Sequence, residues 1–518
     1  MRSLIKKLLL ILAISMLQLA HIAAQPGTYH LTPMEPMNGI TGGKGLMSKK
    51  VNVPPKFYSV FDTTRTLNLP EGYEAFLFHM GGLTKPRVLE LDENGVLHVI
   101  DFTNNGAIYA LPDTNSDHVA DQMKVVLSGV NAHCFKFYKE HIYVAEQTRI
   151  LKCSDLDKDG VYETKEVLIN NLGAPAPTGG HSSRTIVIDD KKQKIYVSIG
   201  SQCNVCREDY RAVIEEYNLD GSGKRIIATG ARNSVGLAIH PVSNKLWANN
   251  NGSDRQGNDV PPEWIDWVRD SGYYGYPFAY GHQNWFNFDA HSDYTALKPI
   301  TAVDSAKVSK MHHPAALIQA HSAPMELEYI GLSVLGENPG GFITALRGSW
   351  NRTPATGFKL ILLRQTGNDH QQDSIISYAD FMTGFLTDSV SRKYWGRPVG
   401  LAIQKNHLRS SDIYVSSDEG NKFILKLVGN HAWTGISEHI QEKWKVYPNP
   451  FTQKISFMEP LQIGSAIRVT DATGKEILQQ NASGISELDL GFLPIGLYLL
   501  QVDSPYGSKH TLIQKIND

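Results

Sequence analysis

Between about residues 70 and 430 one pattern recurs six times with different letters each time: a short apolar strand, a polar turn, and a second strand ending in Tyr-Val or a close equivalent. The copies run over Val88–Ile100, Cys134–Ala145, Thr185–Ser198, Gly236–Ala248, Met325–Ala345 and Gly400–Ser416. Apolar residues alternating around turn signals denote antiparallel strands, and a repeat of about 45 to 50 residues is the length of a four-stranded propeller blade. The first four copies keep that period, and insertions stretch the last two. The chain is therefore expected to be all-β, with a six-bladed β-propeller over 70–430. A β-sandwich accounts for the strands but has no need of this internal self-similarity.

The rest of the composition agrees with many short strands. The 44 Gly and 25 Pro are scattered as turn punctuation rather than gathered in tracts. The 50 Lys plus Arg against 52 Asp plus Glu leave a net charge of −2, so no broad field draws nucleic acid or an anionic membrane, and neither is expected as the main partner. Arg2, Lys6 and Lys7 precede an apolar run from Leu8 to Ala20, with Ala23 and Ala24 before Gln25. That order reads as a signal peptide over 1–24, followed by an N-terminal extension over 25–69. A membrane anchor is the alternative, but the run is short for about 30 Å of hydrocarbon. No later stretch is apolar enough to span, so an exported protein with no integral membrane segment after leader removal is expected. In an oxidising compartment the four cysteines default to disulfides: Cys203 with Cys206 in one loop, and Cys134 with Cys153 between neighbouring strands. Arg207 stands where a haem-attachment motif needs His, and no second cysteine pair completes a zinc site.

Unusual polar residues gather just before or between the repeated strands, where the loops of such a fold converge on one mouth. They are Gly179-Gly180-His181 with Arg184, Arg232-Asn233, Asn249 to Ser253, His321 to Pro324, Trp350-Asn351-Arg352 with Lys359, and Arg397-Pro398. In order and spacing these segments resemble the glucose/sorbosone dehydrogenase family, on its sorbosone and pyranose dehydrogenase side, over about residues 70 to 428.

The resemblance implies oxidation of a sugar or related alcohol or aldehyde by pyrroloquinoline quinone, PQQ, held with Ca2+. It makes His181 the general base while hydride passes to the quinone, a role that suits an imidazole with an ordinary pKa near 6.5. Arg232 would stabilise charge developing on the cofactor, and Asn233 would hydrogen-bond it. The backbone carbonyls of Gly252 and Ser253 would hold the cofactor calcium. Lys359, Arg352 and Arg397 would meet the cofactor carboxylates, with His133 and Trp350 as further cofactor-binding candidates. Gly180, Ser234 and Ser253 depart from the glucose enzymes' pattern, so the substrate does not carry over from them. No haem motif lies in the chain, so the electron acceptor is expected to be a separate partner.

Two signals stand outside that set. Asp155, Asp157 and Asp159, with Gly160 and then Glu166, have the spacing of a calcium loop and could hold a structural calcium; a solvated acidic turn has the same letters. Residues 445–518 alternate strands with Gly and Pro turns, which predicts a small C-terminal β-sandwich. That segment resembles the C-terminal sorting domain of type IX secretion, implying the type IX machinery as a partner and a secreted or cell-surface destination. Two other function classes fit the same fold: a non-catalytic propeller binding glycan or protein, and a calcium-dependent lactonase working through carboxylates at the mouth.

Overall fold

The computed structural model describes residues 29–35, 45–429 and 446–517, apart from 177, 331–340, 366–373, 406–410, 458–459, 462–463, 472–474 and 505–506. The expected leader over 1–24 lies outside the described residues. The chain divides into two compact units, Met1–His431 and Ala432–Asp518.

Among the described residues, six sheets in series form most of the first unit, antiparallel apart from the parallel strand Gly272–Tyr273 at the edge of the third. Their first strands are Pro86–Leu91, Ala132–Tyr138, Arg184–Asp189, Leu237–Ile239, Pro324–Ile330 and Gly396–Lys405, and each of the six repeated segments supplies the first two strands of one sheet. The turns between them carry the chemistry that their letters suggest. In the first, Asp92 Oδ1 accepts from the amides of Asn94 at 3.0 Å and Val96 at 2.8 Å. Gly95 there has φ of +77°, a region that glycine enters without steric cost.

Five of the sheets take their four core strands in chain order, the fourth with an insertion between Glu263–Trp267 and Ala316–Ile318, but the sixth does not. Its fourth strand is Tyr73–Met80, which returns from the N-terminal side to pair with Phe423–Gly429 in the register Ala75 to Leu427 and Leu77 to Leu425. Tyr73, Ala75 and Leu77 alternate inward and are fully buried, as half-buried strands require. The first strands contact one another in chain order, and Gly396–Lys405 contacts Pro86–Leu91, joining the last sheet to the first. The extension is part of this unit: Leu46–Lys50 pairs with Thr66–Pro70, and Phe57 and Phe61 enter the core. Truncating one of these buried aromatics to Ala would cost about 3 to 5 kcal/mol.

The second unit has a three-stranded and a four-stranded sheet around one core that includes Phe451, Ile455, Ile467, Leu488 and Leu500. This agrees with the small β-sandwich expected from the sequence.

Of the two expected disulfides, Cys203–Cys206 is present and Cys134–Cys153 is not. Cys134 lies on the first strand of the second sheet opposite Ala145, and Cys153 on the third strand opposite Ile142. The strand His141–Glu146 runs between them. Two inter-strand spacings alone put the cysteines at least about 9 Å apart, beyond a disulfide's reach, and the offset from Ala145 to Ile142 along the middle strand adds to that.

Candidate active site

In every sheet the residues leading into the first strand lie beside the loop that joins the second strand to the third. Pairing of Arg184 with Ile199 makes this explicit in the third sheet, setting His181 against Ser201. The amide of His181 donates to the Ser201 carbonyl, and Nδ1 lies 3.0 Å from that carbonyl and 3.0 Å from Ser201 Oγ. A carbonyl can only accept, so Nδ1 carries the proton. Ser201 Oγ spends its own proton on the Cys203 carbonyl, at 2.8 Å. Nε2 is left as the basic nitrogen. Burial first, and then the charge of Arg232, pull the imidazole pKa down to about 3, so the ring is neutral at ordinary pH.

Asn233 flanks the same spot. A Cβ placed on Gly200 would lie 2.5 Å from Asn233 Oδ1 and 2.7 Å from His181 Cβ, so only glycine lets these two side chains stand side by side.

Arg232 is buried and spans two loops. Nε donates to the Asn204 carbonyl at 3.0 Å, Nη2 to Asn204 Oδ1 at 3.1 Å, and Nη1 to the Gly252 carbonyl at 2.7 Å. Asp254 Oδ2 stands 3.8 Å from Nη2. Of the two carbonyls expected to hold a cofactor calcium, that of Gly252 accepts a guanidinium proton of Arg232 at 2.7 Å. A second cation on that carbonyl would face the fixed charge of Arg232.

The polar chain continues into the fifth sheet. Asn351 Nδ2 donates to Asp254 Oδ1 at 2.6 Å and lies 3.4 Å from His321 Nδ1, whose Nε2 donates to the Gly257 carbonyl. Glu263, a residue the sequence did not single out, holds the loop from beneath: its carboxylate accepts the amides of Gly252 at 2.5 Å and Ala323 at 3.5 Å. Burial pushes its pKa up to about 8 against the pull of those amides.

Across the sixth and first sheets lies a cationic group. Arg397 donates to the carbonyls of Arg347 and Gly348 and pairs with Glu419 at 3.0 Å. Arg347 and Arg87 both pair with Asp418, at 2.9 and 2.7 Å. Lys85 feels the same charges. Four cations against two carboxylates leave an excess of two positive charges (4 − 2 = 2). His133 is buried beside Arg87 and Lys85, and neither of its ring nitrogens has a hydrogen-bond partner. Arg87 could have been found from the letters, since it is the second residue of its strand, as His133 and Arg397 are of theirs.

The other candidates stand elsewhere. The ammonium of Lys359 pairs at 2.5 Å with Asp380 on the outermost strand of the fifth sheet, so it is spent within that sheet. Arg352 pairs at 2.7 Å with Asp259 and clamps the 258–259 loop. Trp350 is 61% exposed. The acidic loop needs one correction: the carboxylate that closes with Asp155, Asp157 and Asp159, all donors within 4.8 Å of one another, is Glu163. Glu166 sits in a strand opposite Lys152, on the far side of the turn.

Residues 67–427 match the TrAA12-like family model. The chain belongs to the TrAA12-like family. A second match, to the secretion system C-terminal sorting domain, covers residues 445–516. Among curated relatives, an uncharacterised protein of Borreliella burgdorferi is 28% identical over 371 residues, covering 70% of this chain and 90% of that one. A pyrroloquinoline quinone-dependent pyranose dehydrogenase of Coprinopsis cinerea is 25% identical over 409 residues, covering 67% of this chain. The match takes in 53% of that relative, so the TrAA12-like chain spans about half its length. Among solved structures, the holo PQQ domain of a Coprinopsis cinerea pyranose dehydrogenase superposes with a TM-score of 0.57 at 19% identity, covering 73% of this chain and 98% of that domain. This likeness concerns the fold. Among the described residues no helix is long and apolar enough to cross a membrane.

Proposed function

We propose that this TrAA12-like chain is an exported PQQ-dependent dehydrogenase that oxidises a sugar or related alcohol at the mouth of a six-bladed β-propeller. The blades are the six sheets, closed by the strand Tyr73–Met80, and the ring of contacts among the first strands supports this reading. The observation that carries the chemistry is the fixed tautomer of His181, with Nδ1 held by Ser201 and Nε2 left basic.

The residues fit PQQ by charge. Arg87, Arg347, Arg397 and Lys85 exceed their carboxylate partners by two charges, and the orphaned His133 adds a polar group without a partner. That wall suits an anionic cofactor bearing carboxylates. When bound, PQQ supplies a two-electron acceptor for the alcohol carbon. His181 Nε2 takes the hydroxyl proton of the substrate, and Ser201 keeps the ring oriented for it. Burial, and then the charge of Arg232, keep the imidazole neutral, and Asn233 presents an amide beside it. No step is assigned to a calcium ion at Gly252 and Ser253. The electrons then leave to a separate acceptor, and the sorting domain directs export by the type IX machinery to the cell surface or medium.

The test is reconstitution of the purified chain with PQQ, with and without Ca2+, followed by dye-linked oxidation of a sugar panel. Stoichiometric PQQ binding with turnover of at least one sugar is expected. No binding of PQQ sinks the dehydrogenase reading and leaves a glycan- or protein-binding propeller.

A further inference from the structure

Beside the His181 loop stands another buried guanidinium. Arg211 is 3% exposed and lies just ahead of the strand Val213–Asn218 in the third sheet. Nε donates to the Gly200 carbonyl at 2.8 Å, and Nη2 to the carbonyls of His181 at 2.8 Å and Ser201 at 3.3 Å. Nη1 turns to the carbonyls of Thr178 and Gly179, at 3.2 and 3.0 Å, and to Oε1 of Gln202. One guanidinium thus bridges the segment that carries the base and the segment that carries its partner. The Ser201 carbonyl it reaches is the same one that takes both the amide and Nδ1 of His181.

These acceptors are uncharged oxygens fixed to two backbone paths. A buried cation held in this way resists movement of either segment, because a displaced carbonyl would leave part of its charge unsolvated. The path before the base calls for such a clamp. Gly179 and Gly180 have φ of +80° and +56°, and a Cβ on Gly180 would lie 2.2 Å from the Gln202 carbonyl oxygen. Two glycines admit many backbone conformations, and a close approach to Gln202 requires one of them. We infer that Arg211 is the positioning residue of His181: it locks segment 178–181 against 200–202 and thereby fixes the tautomer of the ring and the direction of Nε2. This rests on His181 as the base of the proposed function. Lysine cannot replace it, because an ammonium lacks the planar fork that reaches both segments at once.

The test follows the His181 ring by proton–nitrogen correlation NMR in the full chain without PQQ, its signals assigned by their loss in His181→Gln. Wild type is expected to show the Nδ1-protonated tautomer alone, and Arg211→Lys both tautomers in exchange. In the reconstituted protein Arg211→Lys should lower kcat about 10-fold to 100-fold, the scale of a slightly misplaced group, with sugar KM within about twofold. In Arg211→Ala, millimolar guanidinium should restore the single tautomer, and methylammonium should not. A single tautomer or full kcat in Arg211→Lys overturns the assignment, as does a mixture in wild type. Should Arg211→Ala fail to fold, Arg211→Lys decides, since it keeps the buried charge. The ring is read without cofactor, so a chain that binds no PQQ overturns the dehydrogenase reading while the tautomer still decides whether Arg211 sets the ring.

Discussion

His181 and Ser201 are joined three times, once between amide and carbonyl and twice through the imidazole Nδ1 at 3.0 Å. The pairing fixes the ring and its tautomer together, so chemistry at Nε2 depends on both residues. His181→Ala is expected to lower kcat by about 10² to 10⁴, the usual contribution of a positioned base, with PQQ still bound. Ser201→Ala removes one of the two acceptors of Nδ1 and leaves the carbonyl, so a smaller drop is expected, with KM nearly unchanged. Dye-linked turnover alongside a PQQ titration checks both; normal turnover in His181→Ala would refute the base assignment.

The depressed pKa of His181 has a sign that can be tested. In the unfolded chain the ring titrates near 6.5, and in the fold at about 3, so between these values the unfolded state binds the extra proton. The neutral ring therefore contributes stability that is present above pH 6.5 and is lost as pH falls toward 3. Replacing it with a side chain that does not titrate should flatten that part of the curve. Urea unfolding of wild type and His181→Gln at pH 7.5, 6 and 4.5 is expected to show a smaller acid loss in the variant. Parallel curves would contradict the shift.

Arg232 holds Asn204 and Gly252 from one guanidinium, and those groups belong to loops of different sheets. Charge-assisted hydrogen bonds contribute about 1.5 to 3 kcal/mol each, without simple additivity. Arg232→Ala should therefore cost on the order of 2 kcal/mol or more and lower kcat. Arg232→Lys should not restore either quantity, because an ammonium lacks the planar fork that reaches both loops. Calorimetry and turnover on the two variants check this; full recovery by Lys would show that charge alone matters.

The repeated strands were legible because each copy carries its own alternation and its own turn, as in Val88–Ile100 with its Asp92 to Gly95 turn. The pairing of Tyr73–Met80 with Phe423–Gly429 was not, since nothing local tells a strand that its partner lies some 350 residues further on. The same division runs through the site. His181, Arg232 and Asn233 stand in loops whose order is distinctive, and the fold brings them together. The letters of Lys359 and Arg352 show their charge but not that Asp380 and Asp259 stand ready to take it. Glu163 and Glu166 differ only in which side of a turn each occupies, a matter settled by strand register.

The disulfide Cys203–Cys206 closes a loop of only four residues, so the chain entropy it removes from the unfolded state is small. Its neighbours give it more consequence for the site than for stability. The Cys203 carbonyl takes the proton of Ser201 Oγ, freeing that oxygen to accept from His181, and Asn204 holds Arg232 through both its carbonyl and its side chain. The Cys206 amide donates to the Tyr276 hydroxyl at 3.1 Å, fixing the other end of the loop. Opening the disulfide frees both ends of the segment that aligns the base with the guanidinium. Cys203→Ser/Cys206→Ser is thus expected to shift Tm by only a few degrees while lowering kcat about tenfold or more. Dithiothreitol should reproduce the kcat loss in wild type and add nothing in the variant. Calorimetry with turnover checks the pair of effects, and a variant with full kcat would show that the loop is held in place without its covalent bond.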